Sequence, residues 1–397
     1  MLYNKIEVYI MKRTYGEIAS DIILVLIRPI VTFFLRREIK VIHSGDIIPR
    51  NAEPFIVISN HFNSWDAFVL SKNIKKSIRF VATEIAYLDL PKKIGMKFIA
   101  KTIRKRVGKS DVQAIRKVYE YLNKGYSIGI FPEGDNTFCG ATIGIYDNIG
   151  RLFKKTEVDI VLCKQQGGYL SQPRWADNFS KNGIVHTHTS TLIKKEELEN
   201  LTALQINTII EKAIENNDYD FQREQMYDFK RKNRAEGIER LVYVCNNCNS
   251  VLTVFGKGHD ILCSKCGKIG EINKYEFLVG NKFDNLVDYN DFQYSRIEEV
   301  INSEFMFVVN MNIVDTNKLV NRSLGRHRLH YKNKVLTLSN NKSIHRFEIE
   351  KIKYPVNTLR VSFSFDYEDI TYNFTDIRHQ FVLYEMCRYL NGTYKRK

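Results

Sequence analysis

Residues 54–68 read PFIVISNHFNSWDAF. The apolar run Phe55–Ile58 has the length and β-branched content of a strand buried on both faces. It breaks at Ser59-Asn60. A histidine, His61, follows at once, with an aspartate, Asp66, five positions on. Partners on one helix face sit three or four residues apart, so this spacing works only if His61 ends a strand or turn and Asp66 lies in the first turn of the next helix. There Asp66 can accept a hydrogen bond from one imidazole nitrogen and leave the other as a base. A histidine beside an aspartate is more often structural, so the pair alone does not decide for catalysis.

Further apolar runs surround this one: IRFVAT at 78–83, SIGIF at 127–131, VDIVLC at 158–163 and GIVHTHTST at 183–191. They alternate with helical stretches, of which KSDVQAIRKVYEYLNKG (109–125) is the clearest. Asp111 is its expected cap, Val112, Ile115, Val118, Tyr119 and Leu122 its apolar face, and Gly125 its stop. Strand–helix alternation predicts an α/β layered domain over residues 1–232, ending in helix and a charged linker, KRKNRAEGIER. The run SIGIF leads into Pro132-Glu133-Gly134, a turn that sets a carboxylate and backbone N–H groups at the carboxyl edge of the sheet, where α/β folds bind ligands.

The 397 residues are 44% apolar and 26% charged, a globular composition, with a formal net charge of +15 that favours anionic partners. The amino terminus is too polar for a secretory signal. The run IILVLIRPIVTFFL (22–35) is short of the ~20 apolar residues of a spanning helix. Arg28-Pro29 cuts it in the middle, which predicts a pair of helices lying in a membrane interface, with a buried helical hairpin as the other reading. Between Lys92 and Lys109 lie eight basic residues and no acidic one, a run suited to an anionic surface or substrate or to simple solvation.

Of seven cysteines, Cys139, Cys163 and Cys387 stand alone, which fits a reducing compartment. The other four form two knuckles, Cys245-x-x-Cys248 and Cys263-x-x-Cys266, the spacing of a closed four-thiolate zinc site. With every position a protein ligand, such a zinc is structural. A zinc ribbon is therefore expected over 240–275. From 300 to 397 alternating runs (RHRLHY, KVLTLS, HRFEIEKI, LRVSFSFD, ITYNFT) predict a β-rich domain closed by a helix over DIRHQFVLYEMCRYL, with Asp376 as cap, an outline analogous to PH-like modules.

Taken together, NHFNSWD at 60–66 and FPEG at 131–134 resemble the two signature motifs of the glycerolipid acyltransferase superfamily of the PlsC type, the 1-acyl-sn-glycerol-3-phosphate acyltransferases. The resemblance spans roughly residues 15–230. It includes the lead-in VIHSGDIIPRNAEPFIVISNH, the basic stretch IAKTIRKRVGKSD where the family carries its acceptor-binding motif, and GGYLSQPRWA at 167–176. It implies acyl transfer from acyl-CoA or acyl carrier protein to a hydroxyl of a lysophospholipid or glycerol-phosphate acceptor, at the cytoplasmic face of a membrane. His61 would be the general base and Asp66 its orienting partner, while Glu133, Gly134 and Arg104 or Arg106 would bind the acceptor. One departure stands out: the family carries an arginine within two or three positions after Pro-Glu-Gly, and here Asp135-Asn136-Thr137 follows. Either Arg104, Arg106 or Arg174 compensates, or the acceptor is not a simple lysophosphatidic acid. Two other classes stay in view. A membrane scaffold with a decayed site would explain Asp135, whereas a nucleic-acid-binding zinc protein would need basic residues interleaved with aromatics, and the densest basic run here is aliphatic.

Overall fold

Phe55–Ile58 (β2) is wholly buried, as four apolar residues in a row require. The computed structural model describes residues 13–63, 65–88, 93–105, 111–146, 148–180, 183–315, 318, 320–358 and 360–392. Around β2 stand β1 (Ile39–Gly45), β3 (Ile78–Thr83), β4 (Ile103–Lys105), β5 (Ser127–Ile130), β6 (Asp159–Gln166) and β7 (Gly183–Ile193), in the order β1-β7-β6-β2-β5-β3-β4. The five strands from β6 to β4 run parallel, and β7 turns back antiparallel on β6 and carries β1. Ile58 on β2 lies opposite Ile130 on β5 and Leu162 on β6, so β2 and β5 end level while β6 runs on to Gln166. Each buried aliphatic side chain here contributes about 1.5–3 kcal/mol.

Helix α1 (Tyr15–Glu38) is one continuous helix with Pro29 inside it, not the pair expected from Arg28-Pro29. A proline removes one backbone bond and can be borne when the rest of the helix stays paired; Arg28, instead of breaking the run, donates from Nη2 to the Ile74 carbonyl at 3.0 Å. With Ile22, Leu26, Ile30, Phe33 and Phe34 exposed, α1 is long and apolar enough to cross a membrane, and its apolar window is only 6% buried.

The short helix α2 (Asp66–Leu70) opens on Asp66, as the spacing from His61 required. Helix α3 (Val112–Asn123) is capped by Asp111, which accepts from the Ala114 N–H at 3.0 Å, and Gly125, at φ +79°, ends it. Its buried face is Ala114, Val118, Tyr121 and Leu122. Val112 and Ile115 of the expected face are exposed, because Ala114 and Tyr121 complete the i, i+4, i+7 stripe against the sheet.

Helices α4 (Ala203–Ile214) and α5 (Asp218–Gln225) follow, but no solvated linker does. Arg231, within the charged run, is fully buried: it holds the Glu276 carboxylate with Nε at 3.1 Å and Nη2 at 2.5 Å and lies 5.1 Å from the Trp175 ring. A guanidinium that forks onto one carboxylate through two N–H groups suits such a buried pair better than the single ammonium of a lysine. The cysteine ribbon is a four-stranded antiparallel sheet, β8 (Val254–Lys257), β9 (Asp260–Cys263), β10 (Gly267–Ile272) and β11 (Leu278–Val279). After α6 (Leu286–Ser295) come β12 (Phe305–Asp315), β13 (Val320–Lys332), β14 (Val335–Ser339), β15 (Ile344–Glu348), β16 (Lys353–Thr358), β17 (Ser362–Tyr367) and β18 (Ile370–Thr375). Their order, β15-β14-β13-β12-β18-β17-β16, puts the first strand in the middle. β12 and β16 were not among the expected strands. The closing helix α7 (Gln380–Leu390) starts at Gln380 with His379 before it; Asp376, at φ +51°, sits in a turn and does not cap it.

The two faces of β2 pack into clusters of their own, Ile56 and Ile58 in one and Phe55 and Val57 in the other, and a third cluster joins the three regions. Phe62, Phe138 and Trp175 of the first sheet region, Tyr243 and Ile261 of the ribbon, and Phe347 and Phe381 of the last belong to a single packed cluster.

Candidate active site

His61 lies three residues beyond the end of β2 and Glu133 three beyond the end of β5, and these strands are neighbours with level ends. The two motifs therefore meet at the carboxyl edge of the sheet. The imidazole Nδ1–H donates to Asp66 Oδ2 at 2.6 Å. Asp66 is fully buried, and the same oxygen accepts the Phe62 N–H at 2.9 Å and the Asn63 N–H at 3.3 Å. Burial pushes the Asp66 carboxyl up, against the pull of the His61, Phe62 and Asn63 hydrogen bonds. The ring stacks on Phe131 with centroids 4.0 Å apart and stays partly exposed. With the proton on Nδ1 fixed by Asp66, Nε2 is the nitrogen left to accept one.

The loop of Glu133 holds the histidine from the other side. Glu133 is buried; Oε1 accepts the His61 N–H at 2.8 Å and Oε2 the Ile143 N–H at 3.0 Å. Burial pushes its carboxyl up to about 8. Both oxygens are thus engaged inside the protein, where the sequence suggested a carboxylate presented to ligand. The turn's Gly134 N–H is likewise taken, by the Phe131 carbonyl at 3.0 Å.

Gly134 itself is at φ +71°, and a Cβ there would come within 2.0 Å of the Tyr146 ring. Gly134→Ala is expected to lower stability by about 1–2 kcal/mol and turnover by roughly 10- to 100-fold. Thermal melts and initial rates read the two losses, and an alanine variant with wild-type turnover would show that the turn has slack.

Arg104 is exposed on β4, the edge strand, and Arg106 lies outside the described residues. Arg174 is committed elsewhere. It pairs with Asp135 Oδ1 at 3.1 Å and donates to the Asn136 carbonyl at 2.6 Å and to the Asn357 carbonyl at 3.0 Å. The charge that Asp135 introduces is therefore answered by Arg174, and Arg174 is not a free phosphate ligand.

Sequence reasoning passed over several residues. Lys105 sends its Nζ to 4.8 Å from the centre of the Tyr146 ring that covers Gly134, and burial pulls its pKa down. Asn60 clamps the ends of β2 and β6, donating to the Gln165 carbonyl at 2.7 Å and accepting the Gln165 N–H at 2.8 Å. Asn63 donates to Gln172 Oε1 at 2.8 Å and accepts the Trp65 N–H at 2.7 Å. The asparagines bracketing His61 in Asn60-His61-Phe62-Asn63 were the available signal. Trp65 and Phe68, 43% and 39% exposed, leave an apolar rim beside the histidine.

Away from this site the four cysteine sulfurs all lie within 4.8 Å of one another. Cys245 and Cys266 are 3.5 Å apart, Cys248 and Cys263 3.7 Å. A tetrahedron with Zn–S arms of about 2.3 Å has edges near these lengths, so the donor set fits a closed four-thiolate site. Burial would raise the Cys263 thiol, but hydrogen bonding with Thr253 and with the Lys265 and Cys266 backbone brings it down to about 5. Cys139, Cys163 and Cys387 are buried and unpaired with one another.

Residues 39–163 match the family model Acyltransferase. No curated protein matches the chain. Among solved structures, the 1-acyl-sn-glycerophosphate (LPA) acyltransferase PlsC from Thermotoga maritima is similar at 18% identity and a TM-score of 0.43, over 53% of this chain and 83% of that one. The matched segment runs from β1 into β6 and contains both His61 and Glu133, so over these residues the chain is similar to the Acyltransferase domain.

Proposed function

We propose that the protein transfers a fatty acyl group from a thioester, acyl-CoA or acyl carrier protein, to a hydroxyl of a lysophospholipid or glycerol-phosphate acceptor at a membrane surface. The observation that carries this reading is the His61–Asp66 pair at the carboxyl edge of the sheet, Nδ1 bound and Nε2 available. His61 Nε2 takes the acceptor hydroxyl's proton as the oxygen attacks the thioester carbonyl. The thiolate then leaves and recovers the proton from the imidazolium, which Asp66 stabilises in between. A thioester is already activated, so no covalent enzyme intermediate is needed.

Glu133 acts here by positioning His61, with Gly134 shaping the pocket floor. Lys105 joins Arg104 and Arg106 as a cation for the acceptor's phosphate, since it is the ammonium seated over the Gly134–Tyr146 contact. The exposed apolar side of α1, with Trp65 and Phe68 beside the site, suits attachment to the cytoplasmic face of a bilayer and delivery of acyl chains from it. We read the four cysteines as a structural zinc centre.

Incubating the purified protein with labelled acyl-CoA, and separately labelled acyl carrier protein, with a panel of lysophospholipids in vesicles tests the proposal. Label should move to one acceptor class. Lys105→Ala is expected to raise KM for a phosphate-bearing acceptor by about 5- to 100-fold, the loss of one charged hydrogen bond. No transfer from either donor to any acceptor would sink the enzymatic reading in favour of a scaffold.

A further inference from the structure

The carboxy-terminal domain reaches the loop that holds His61 by two routes, directly at Phe138 and through Arg174. Asp135 and Asn136 are bound by Arg174, whose second Nη donates to the Asn357 carbonyl on β16 at 3.0 Å. The next residue, Thr137, donates its backbone N–H to the His61 carbonyl at 2.8 Å. Phe138 is buried and packs on α7, with its ring 4.9 Å from Phe381 and 5.3 Å from Tyr384. The Arg174 guanidinium lies over the same ring, 4.6 Å from its centre. Behind Phe381 stands Tyr243, two residues ahead of the first cysteine of the ribbon, at 6.1 Å.

We infer that the carboxy-terminal domain is the clamp that fixes the catalytic histidine, with Phe138 and Arg174 as positioning residues and Phe381 and Tyr384 as their anchor. The loop supplies two of the fixed backbone contacts of His61, from Glu133 and from Thr137. Between these contacts and the rest of the protein, Asp135 turns its carboxylate to Arg174 and Phe138 its ring to Arg174 and α7, while the Thr137 hydroxyl donates to the Ala141 carbonyl within the loop. Where the family carries an arginine this loop reads Asp135-Asn136-Thr137, and Asp135 makes sense as one half of this clamp: it gives Arg174 a carboxylate to grip on the loop while its other arm reaches the distant domain. Loosening the clamp would displace His61 without removing any group that touches substrate.

This inference rests on His61 being the base of the proposed acyl transfer, but its structural part can be read without substrate. In the full-length protein, Phe138→Ala should lower kcat by about 10- to 100-fold, the usual effect of a small misplacement of a catalytic group, with KM for the acyl donor nearly unchanged. Phe138→Leu, which refills most of the space, should recover most of the loss. In parallel, hydrogen exchange of the Thr137 amide should quicken in Phe138→Ala while metal content stays constant. Arg174→Lys, which keeps the charge facing Asp135 but lacks the fork that spans Asn136 and Asn357, should do the same and serves if Phe138→Ala fails to fold. Wild-type kcat together with wild-type Thr137 exchange in either folded variant would overturn the clamp. If the wild-type protein transfers no acyl group at all, the proposed function falls, while faster Thr137 exchange would still support the docking contact.

Discussion

His61→Ala is expected to lower acyl transfer by about 10²- to 10⁴-fold, the contribution of a positioned general base. The substitution isolates the chemistry unusually well. Both hydrogen bonds that tie this position to the Glu133 loop use the backbone, His61 N–H to Glu133 and His61 carbonyl from Thr137, and both survive loss of the ring. The side chain adds only its bond to Asp66 and its stack on Phe131, so the fold should persist and thermal melting should shift little. Asp66→Ala is a different case: it also strips the acceptor from the Phe62 and Asn63 N–H groups, and should therefore lose stability as well as rate. Initial rates at saturating donor, set beside melting curves, separate the two. A folded His61→Ala protein that transfers acyl groups at close to the wild-type rate would remove His61 from the role of base.

Loss of the zinc proposed for the four cysteines is expected to have the largest effect on stability. Structural zinc contributes about 10–16 kcal/mol of apparent binding free energy in isolated zinc-finger peptides. Here Cys245, Cys263, Ile261 and Ile269 belong to the same packed core as Phe138 and Phe381, so disorder in the ribbon has no boundary at which to stop. Replacing Cys245 and Cys263 together by serine should reduce bound zinc from one per chain to none and lower Tm across the whole molecule, where a free-standing ribbon would melt alone. Metal analysis and calorimetry check the two parts. Stoichiometric zinc retained in the double variant would eliminate the four-cysteine site, and an unchanged main transition would show that the ribbon is energetically separate.

The parts of the site legible in the sequence were those set by neighbours along the chain. The spacing from His61 to Asp66, the strand before each motif and the Asp111 cap are local, and hydrophobic pattern and capping chemistry report them directly. The fates of Glu133 and Arg174 were not legible. Glu133 turns inward because β5 happens to lie beside β2, a pairing of segments seventy-two residues apart. Arg174 is spent on Asn357, 183 residues away. The same limit explains the charged stretch around Arg231, which reads as linker until Glu276 is brought to it. β12, FMFVVNMNIVD, was passed over because its two asparagines interrupt the apolar alternation, yet Asn312 is buried and donates to the Asn373 carbonyl of the neighbouring strand.

Helix α1 ends at Glu38 and β1 begins at Ile39, with no residue between them. A helix of this length is about 36 Å long at ~1.5 Å per residue, and it joins the sheet without a hinge. Arg28 makes a second attachment midway, at Ile74. Two fixed points on one rod determine an orientation, so whatever surface receives α1 also sets the tilt of the sheet and the height of His61 above it. On the membrane attachment proposed above, α1 is then also a gauge: it would settle how far into a lipid layer His61 can reach, and so which hydroxyls along an acceptor come within its range.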